Sequence, residues 1–109
     1  MKIATVQKIH LNNNTHVIKY NANEAGDTST PETWLEVYNM PVGMEAEISV
    51  VGYMLEESVG TPLKVADISR LDTADGIVGD GIYMILSGGL ERVELTTSVE
   101  CDVIIKQVV

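Results

Sequence analysis

Few residues in this chain have types and spacings that suggest chemistry. His10 and His16 flank the turn-forming run Asn12-Asn13-Asn14. If that turn folded into a hairpin, the two imidazoles would approach each other, as a metal pair requires. Catalytic zinc sites, however, normally use three protein ligands, and no third lies nearby in sequence. Solvated histidines beside a turn are the simpler expectation. A second cluster, Asp67, Asp72, Asp75 and Asp80, is interleaved with Gly76, Gly79 and Gly81. Hard cations such as calcium take several oxygens from flexible loops, so Asp72, Asp75 and Asp80 have the right chemistry for a calcium loop. Their spacing lacks the alternating oxygens and the glutamate at the twelfth position of an EF-hand. A solvated acidic loop is the expectation, with no metal.

The lone cysteine, Cys101, excludes an internal disulfide and a cysteine-based zinc site. It lies in Val99-Glu100-Cys101-Asp102-Val103, where odd positions are apolar, so it reads as a small core hydrophobe. Neighbouring acids would raise its pKa and blunt any nucleophilic role. The sequence contains no Gly-x-Ser-x-Gly, no phosphate-binding glycine loop with lysine and no His-Glu-x-x-His. General bases and nucleophiles are nearly absent, so no enzyme activity, catalytic residue or cofactor is expected.

Binding is a better prospect than catalysis. Trp34, Tyr38 and Tyr53 have the chemistry of an aromatic platform for a partner protein or a sugar. The chain has no Phe to fill its centre, so a core position is the favoured expectation for Trp34. Sixteen acidic residues against seven basic ones give a net charge of −9. That charge argues against nucleic acid and against an anionic membrane, and it suits solubility or a partner with a basic face. No segment approaches about 18 consecutive apolar residues, and the first eight residues carry no apolar block with a cleavage site. Synthesis in a cytoplasm without secretion is the expectation.

The elements that would position these residues follow from periodicity. The 109 residues suit one domain, 1–109, with a core built from Val, Ile, Leu and Met. A first strand over residues 1–11 and a second over 16–20 would form a hairpin about the asparagines. Residues 21–30 read as a polar loop. Residues 33–40 read as a strand ended by Pro41. Met44, Ala46, Ile48 and Val50 alternate with polar residues, and Gly52 marks a bulge or bend where the strand could pass between sheets. Thr61-Pro62, followed by Val65, Ile68 and Leu71 at spacing three, predicts one short helix or a single turn. Residues 72–81 read as loop. The run 82–86 is continuously apolar, as in a strand buried on both faces, and Ser87-Gly88-Gly89 reads as a hairpin turn into a strand over 90–97. In the last strand Val99, Cys101, Val103 and Ile105 face inward, while Ile104 and Val108 share the opposite face with charges. About seven strands at short spacing predict an all-β sandwich or barrel.

The runs Leu63-Lys64-Val65-Ala66-Asp67-Ile68-Ser69, Gly81-Ile82-Tyr83-Met84-Ile85-Leu86 and Gly88-Gly89-Leu90-Glu91-Arg92-Val93 resemble small β-rich accessory proteins of tailed-phage virions. These include capsid decoration proteins and the capsid-binding parts of head fibres. The resemblance spans residues 44–109 and rests on general character: Gly-Ile-Tyr entering a strand, a Gly-Gly-Leu turn, an acid excess. It implies a structural protein made in the host cytoplasm that sits on the virion surface and stabilises the capsid, as a trimer or other homo-oligomer. It carries no residue roles.

From the residues themselves, the expected partner contacts are Trp34, Tyr38, Ile104, Val108 and Val109, with edge pairing by the first or last strand. Removing residues 106–109 should then abolish assembly and leave most of the fold. The alternative expectation is a carbohydrate- or calcium-binding sandwich module using Trp34, Tyr38 and the 72–80 loop.

Overall fold

The computed structural model describes residues 3–20, 32–42, 46–54, 56–87 and 90–108. Ten strands form two antiparallel sheets, and the described residues contain no helix. The strands are β1 (Ile3–Asn12), β2 (Thr15–Lys19), β3 (Glu32–Tyr38), β4 (Ile48–Met54), β5 (Thr61–Pro62), β6 (Val65–Asp67), β7 (Asp72–Ala74), β8 (Gly81–Leu86), β9 (Leu90–Thr97) and β10 (Glu100–Val108). The larger sheet has the order β1-β10-β3-β8-β6-β7, the smaller β2-β9-β4-β5. The sandwich architecture is as expected. Seven strands of five residues or more match the seven read from periodicity. The other three, β5 to β7, are two or three residues long and occupy the stretch read as helix and loop.

The core lies between the sheets and is aliphatic. The larger sheet contributes Leu35 and Val37 from β3, Tyr83 and Ile85 from β8, and Cys101, Val103 and Ile105 from β10. The smaller sheet contributes Ile18, Ile48, Val50, Val93 and Leu95. Period-two alternation produces this directly, because successive side chains of a strand point to opposite faces. The partly buried Tyr20 hydroxyl and the buried hydroxyls of Thr33 and Ser87 form a chain. Tyr20 Oη lies 2.6 Å from Thr33 Oγ1, which in turn donates to Ser87 Oγ at 3.1 Å.

Both predicted hairpins fail, for the same reason. Residues 12–14 do turn the chain but carry it from one sheet to the other, and β8 and β9, on either side of 88–89, likewise lie in different sheets. β1 pairs with β10 while β2 pairs with β9; β8 pairs with β3 and β6 while β9 pairs with β2 and β4. The result is one long antiparallel ribbon. Residues 3–12 run against 100–108, and residues 15–19 run against 92–96, with Thr97 N–H donating to the Asn14 carbonyl at the corner. Asn13 takes the left-handed backbone that lets the strand bend, with φ 51°. Gly88 and Gly89 themselves lie outside the described residues.

Three further expectations are corrected. Of the two readings of Val65, Ile68 and Leu71, the helix fails and the single turn holds: a short strand is followed by a turn over 68–71, and Leu71 sits at φ 54° and is 91% exposed, so it belongs to no apolar stripe. Gly52 does not pass its strand between sheets, since β4 stays in one sheet, but the register does shift directly after it, between Tyr53 and Met54, as the expected bulge would give; the place of a Gly52 side chain is taken by Leu63, whose Cδ1 would stand 2.8 Å from an added Cβ. The last strand is not an edge. β10 lies between β1 and β3, so residues 106–108 pair on both sides, and removing 106–109 would damage the sheet itself. The first strand, by contrast, is an edge.

Candidate protein-binding face

The larger sheet has a second face, turned away from the core, and pairing register fixes what lies on it. One row across the strands reads Val6, Lys106, Trp34, Met84, Ala66, Thr73. The next reads Lys8, Ile104, Glu36, Ile82. Beside these lie His10, Asp102 and Tyr38 at one end and Glu32 with Leu86 at the other. Leu86 is 63% exposed, Val6 56%, Ile82 41% and Tyr38 38%, and Trp34, Met84 and Ile104 are half-buried. Among the described residues no strand is layered over this face. Where β6 meets β8 it dips into a concavity of about 230 Å³ lined by Leu63, Ala66, Met84 and Leu86 among others.

The charges on this face are largely paired within it. Lys106 Nζ donates to Glu36 Oε1 at 2.7 Å, and Trp34 Nε1 donates to Glu32 Oε2 at 3.0 Å. His10 bridges two carboxylates, with Nδ1 2.7 Å from Asp102 Oδ1 and Nε2 2.9 Å from Glu100 Oε1. A carboxylate against each ring nitrogen favours the imidazolium, in which both nitrogens donate. The hydrogen bond to Asp102 leads in raising the His10 pKa above its ordinary value. Asp102 is held below the usual carboxylate range, first by Asn39 Nδ2 at 2.9 Å and then by His10.

Of the expected contact residues, Trp34, Tyr38 and Ile104 share this face on adjoining strands. Val108 continues β10, though only its backbone is described, and Val109 lies outside the described residues. Trp34 is not in the core. The missing Phe is made good by aliphatics and by Tyr83, which is 2% exposed and donates its hydroxyl to the Gly79 carbonyl at 2.7 Å. Tyr53 does not join a platform with Trp34 and Tyr38. It lies on β4 in the other sheet, beneath the Arg92 guanidinium at 3.8 Å. Val6, Ile82, Met84 and Leu86 escaped sequence reading. The unbroken apolar run 82–86 mimics a strand covered on both faces, whereas only Tyr83 and Ile85 point into the core.

The other candidates do not converge. His10 and His16 lie in different sheets, His10 committed to its two acids and His16 turned inward beside Leu95. His16 is therefore not solvated: its Nε2 is buried without a hydrogen-bond partner, and burial lowers its pKa. The aspartates are each occupied separately. Asp67, buried, accepts from Arg70 Nη1 at 2.9 Å and from Arg70 N at 3.1 Å. Asp72 accepts from Thr73 N at 2.8 Å, Asp75 lies 3.9 Å from Lys64 Nζ, and Asp80 accepts from Met40 N at 2.9 Å. Among the described residues no three His, Cys, Asp or Glu side chains are grouped to hold a metal ion. Cys101 is buried, and burial, followed by the nearby Asp102 charge, pushes its thiol pKa up.

No family model matches the sequence, and no curated protein matches it. The fold does have a solved counterpart, the SPBc2 prophage-derived protein YomS. The two superpose with a TM-score of 0.61 over 99% of each chain, at 11% sequence identity. At that identity the likeness is one of fold. The chain thus shares the fold of a prophage-derived protein along nearly its whole length.

Proposed function

We propose that this is a non-catalytic structural protein of a phage particle that works by binding other protein subunits, most concretely as a decoration protein that stabilises the capsid from the virion surface after synthesis in the host cytoplasm. One observation carries the reading: an outer sheet face on which Trp34, Tyr38, Ile82, Met84, Leu86 and Ile104 stand among charges that are largely paired with one another. Exposed apolar side chains gathered among polar ones suit a protein contact, and Trp and Tyr are the residue types that anchor such contacts. The shared fold with a prophage-derived protein and the character of the C-terminal runs support a phage setting. The charge of −9 favours protein subunits over nucleic acid or membrane.

The test is direct. Particles made by the encoding phage should contain the chain in regular stoichiometry by quantitative mass spectrometry. Purified protein should cosediment with particles lacking it. The double variant Trp34→Ala, Ile104→Ser should keep its melting transition and lose cosedimentation. Absence of the chain from purified particles would overturn the reading.

A further inference from the structure

We infer that the edge strand β1 takes an extended, acidic segment of a partner protein as a further strand of the larger sheet. The inference rests on the reading that this chain binds other protein subunits. It adds the mode and chemistry of one contact: main-chain pairing along the border of the outer face.

The sandwich leaves one long edge. β1 has ten residues and, among the described residues, pairs only with β10. The other edge strands, β2, β5 and β7, have five, two and three residues, and β5 includes Pro62. Short strands and prolines are how soluble proteins blunt an edge. After a register shift at its start, β1 runs regularly from Thr5 to Asn12. Register also fixes which of its main-chain groups are open. Ile82 donates its N–H to Ser69 Oγ at 3.0 Å, and its carbonyl accepts from Ile68 N at 2.9 Å, so its main chain points toward β6. In antiparallel sheets successive residues turn these groups to opposite sides. Carried through the unbroken registers of β8 with β3, β3 with β10 and β10 with β1, that parity turns Gln7, Ile9 and Leu11 toward β10 and Val6, Lys8, His10 and Asn12 away from it. Asn12 agrees, since its N–H goes to Asn14 Oδ1 at 2.8 Å. Val6, Lys8 and His10 are left with N–H and C=O groups aimed off the sheet, the arrangement that strand addition uses.

Side chains along the edge select the occupant. All sixteen acids of the chain follow residue 23, whereas the first 23 residues hold Lys2, Lys8 and Lys19 and no acid. Lys8 stands in the middle of the open stretch, exposed, and among the described residues no carboxylate pairs with it. The acids of the neighbouring strand, Glu100 and Asp102, are held by His10. Exposed charges beyond about 8 Å are screened at physiological salt, so Lys8 governs what lies beside it. Opposite charges facing each other across two strands stabilise the pair, and like charges oppose it. On the inner row Ile9 packs against the core but stays half-buried, so an apolar side chain opposite it would complete its cover. The fitting segment is therefore extended, with an acid on one face and aliphatic residues on the other. A second copy offers no such edge: β1 would bring another Lys8 and no acid, β2 carries Lys19 and no acid, and β5 and β7 are too short.

Amide hydrogen exchange of the whole protein, read by NMR, tests this. In the free chain Val6, Lys8 and His10 should exchange faster than Gln7, Ile9 and Leu11. The probe is a capped, strand-length peptide that alternates Thr and Val around a central Glu, with Val on one face and Thr and Glu on the other. At millimolar concentration it should slow exchange at Val6, Lys8 and His10. The same peptide with a central Lys should bind about fivefold less tightly, and Lys8→Glu should reverse that order. Lys8→Pro removes an outward donor and leaves the ladder to β10 whole, so it should keep the melting transition and lose the protection. Gln7→Pro, which removes a donor to β10, should lower the melting temperature instead. Unslowed exchange at the three amides, equal binding of the two peptides, or protection already present in a self-associated free chain would overturn the inference. Particle binding is scored separately. A Lys8→Pro chain that cosediments with particles as wild type does, together with unprotected amides, would sink strand addition and leave the functional reading standing. Protection by the Glu peptide in a chain that is absent from particles would do the reverse.

Discussion

At the residue scale the two histidines act in opposite directions. His10 clamps the edge strand β1 to its neighbour β10 through the Glu100 and Asp102 carboxylates. Its folded pKa is raised above 6.5, so its contribution to stability is complete below that value and is lost as pH rises through the higher folded value. The difference in urea midpoint between wild type and His10→Ala should therefore be largest near pH 6 and shrink above the raised pKa. His16 is the converse. Burial lowers its pKa, so its protonation costs stability as pH falls below 6.5. Its buried, partnerless Nε2 also makes it a poor core residue. His16→Leu should stabilise the fold by about 1 kcal/mol in urea denaturation, because a buried unsatisfied polar atom costs about that much or more. In a proton NMR titration His10 should titrate above, and His16 below, the ordinary imidazole value.

At the element scale the sheet divides positions that look alike in sequence. Leu35 and Leu86 both lie in strands of the larger sheet, yet Leu35 is fully buried and Leu86 mostly exposed. Leu35→Ala should cost about 2–5 kcal/mol by cavity formation, while Leu86→Ala should stay within about 0.5 kcal/mol in the monomer. Denaturant unfolding at low concentration separates the two. Truncation gives the matching test for strands. Loss of residues 106–109 removes two-sided pairing from β10 and should lower the melting temperature more than loss of residues 1–5, which trims the start of an edge strand. Equal effects would contradict the central placement of β10.

The same contrast shows what could be read from the sequence. The alternation of Cys101, Val103 and Ile105 against Asp102, Ile104 and Lys106 gave the last strand and both its faces correctly, because period two is a local property. Where a turn leads is not local. The asparagines at 12–14 and the glycines at 88–89 announce a change of direction, but the same turn chemistry serves a hairpin or a crossing between sheets. The run at 82–86 failed for a related reason: an exposed Ile82 or Leu86 on the outer sheet face carries the same signal as a buried one.

Over the whole molecule, the site candidates that depended on distant residues meeting were the ones the fold separated. The acids at 72, 75 and 80 are each held by a different partner, so millimolar calcium should leave the melting temperature unchanged with or without EDTA. A shift of several degrees would restore the calcium reading. Residue type singles out Trp34, Tyr38 and Ile104 in the sequence, but nothing local makes them neighbours. Their adjacency depends on β10 pairing with β3, two segments some seventy residues apart.

The bent ribbon in which residues 3–19 run against 92–108 also governs how the protein is made. Its two halves are separated by about ninety residues of synthesis, as in the contact of His10 with Asp102. At roughly 5–20 residues per second a ribosome holds the first half unpaired for on the order of 5–20 s. During that interval β1 and β2 are nascent hydrophobic segments without a sheet to join. Such non-local pairing also makes for slow folding, on the millisecond-to-second scale. Chaperone capture of the emerging N-terminal segment, and low recovery when expression is fast and warm, are what this topology leads one to expect.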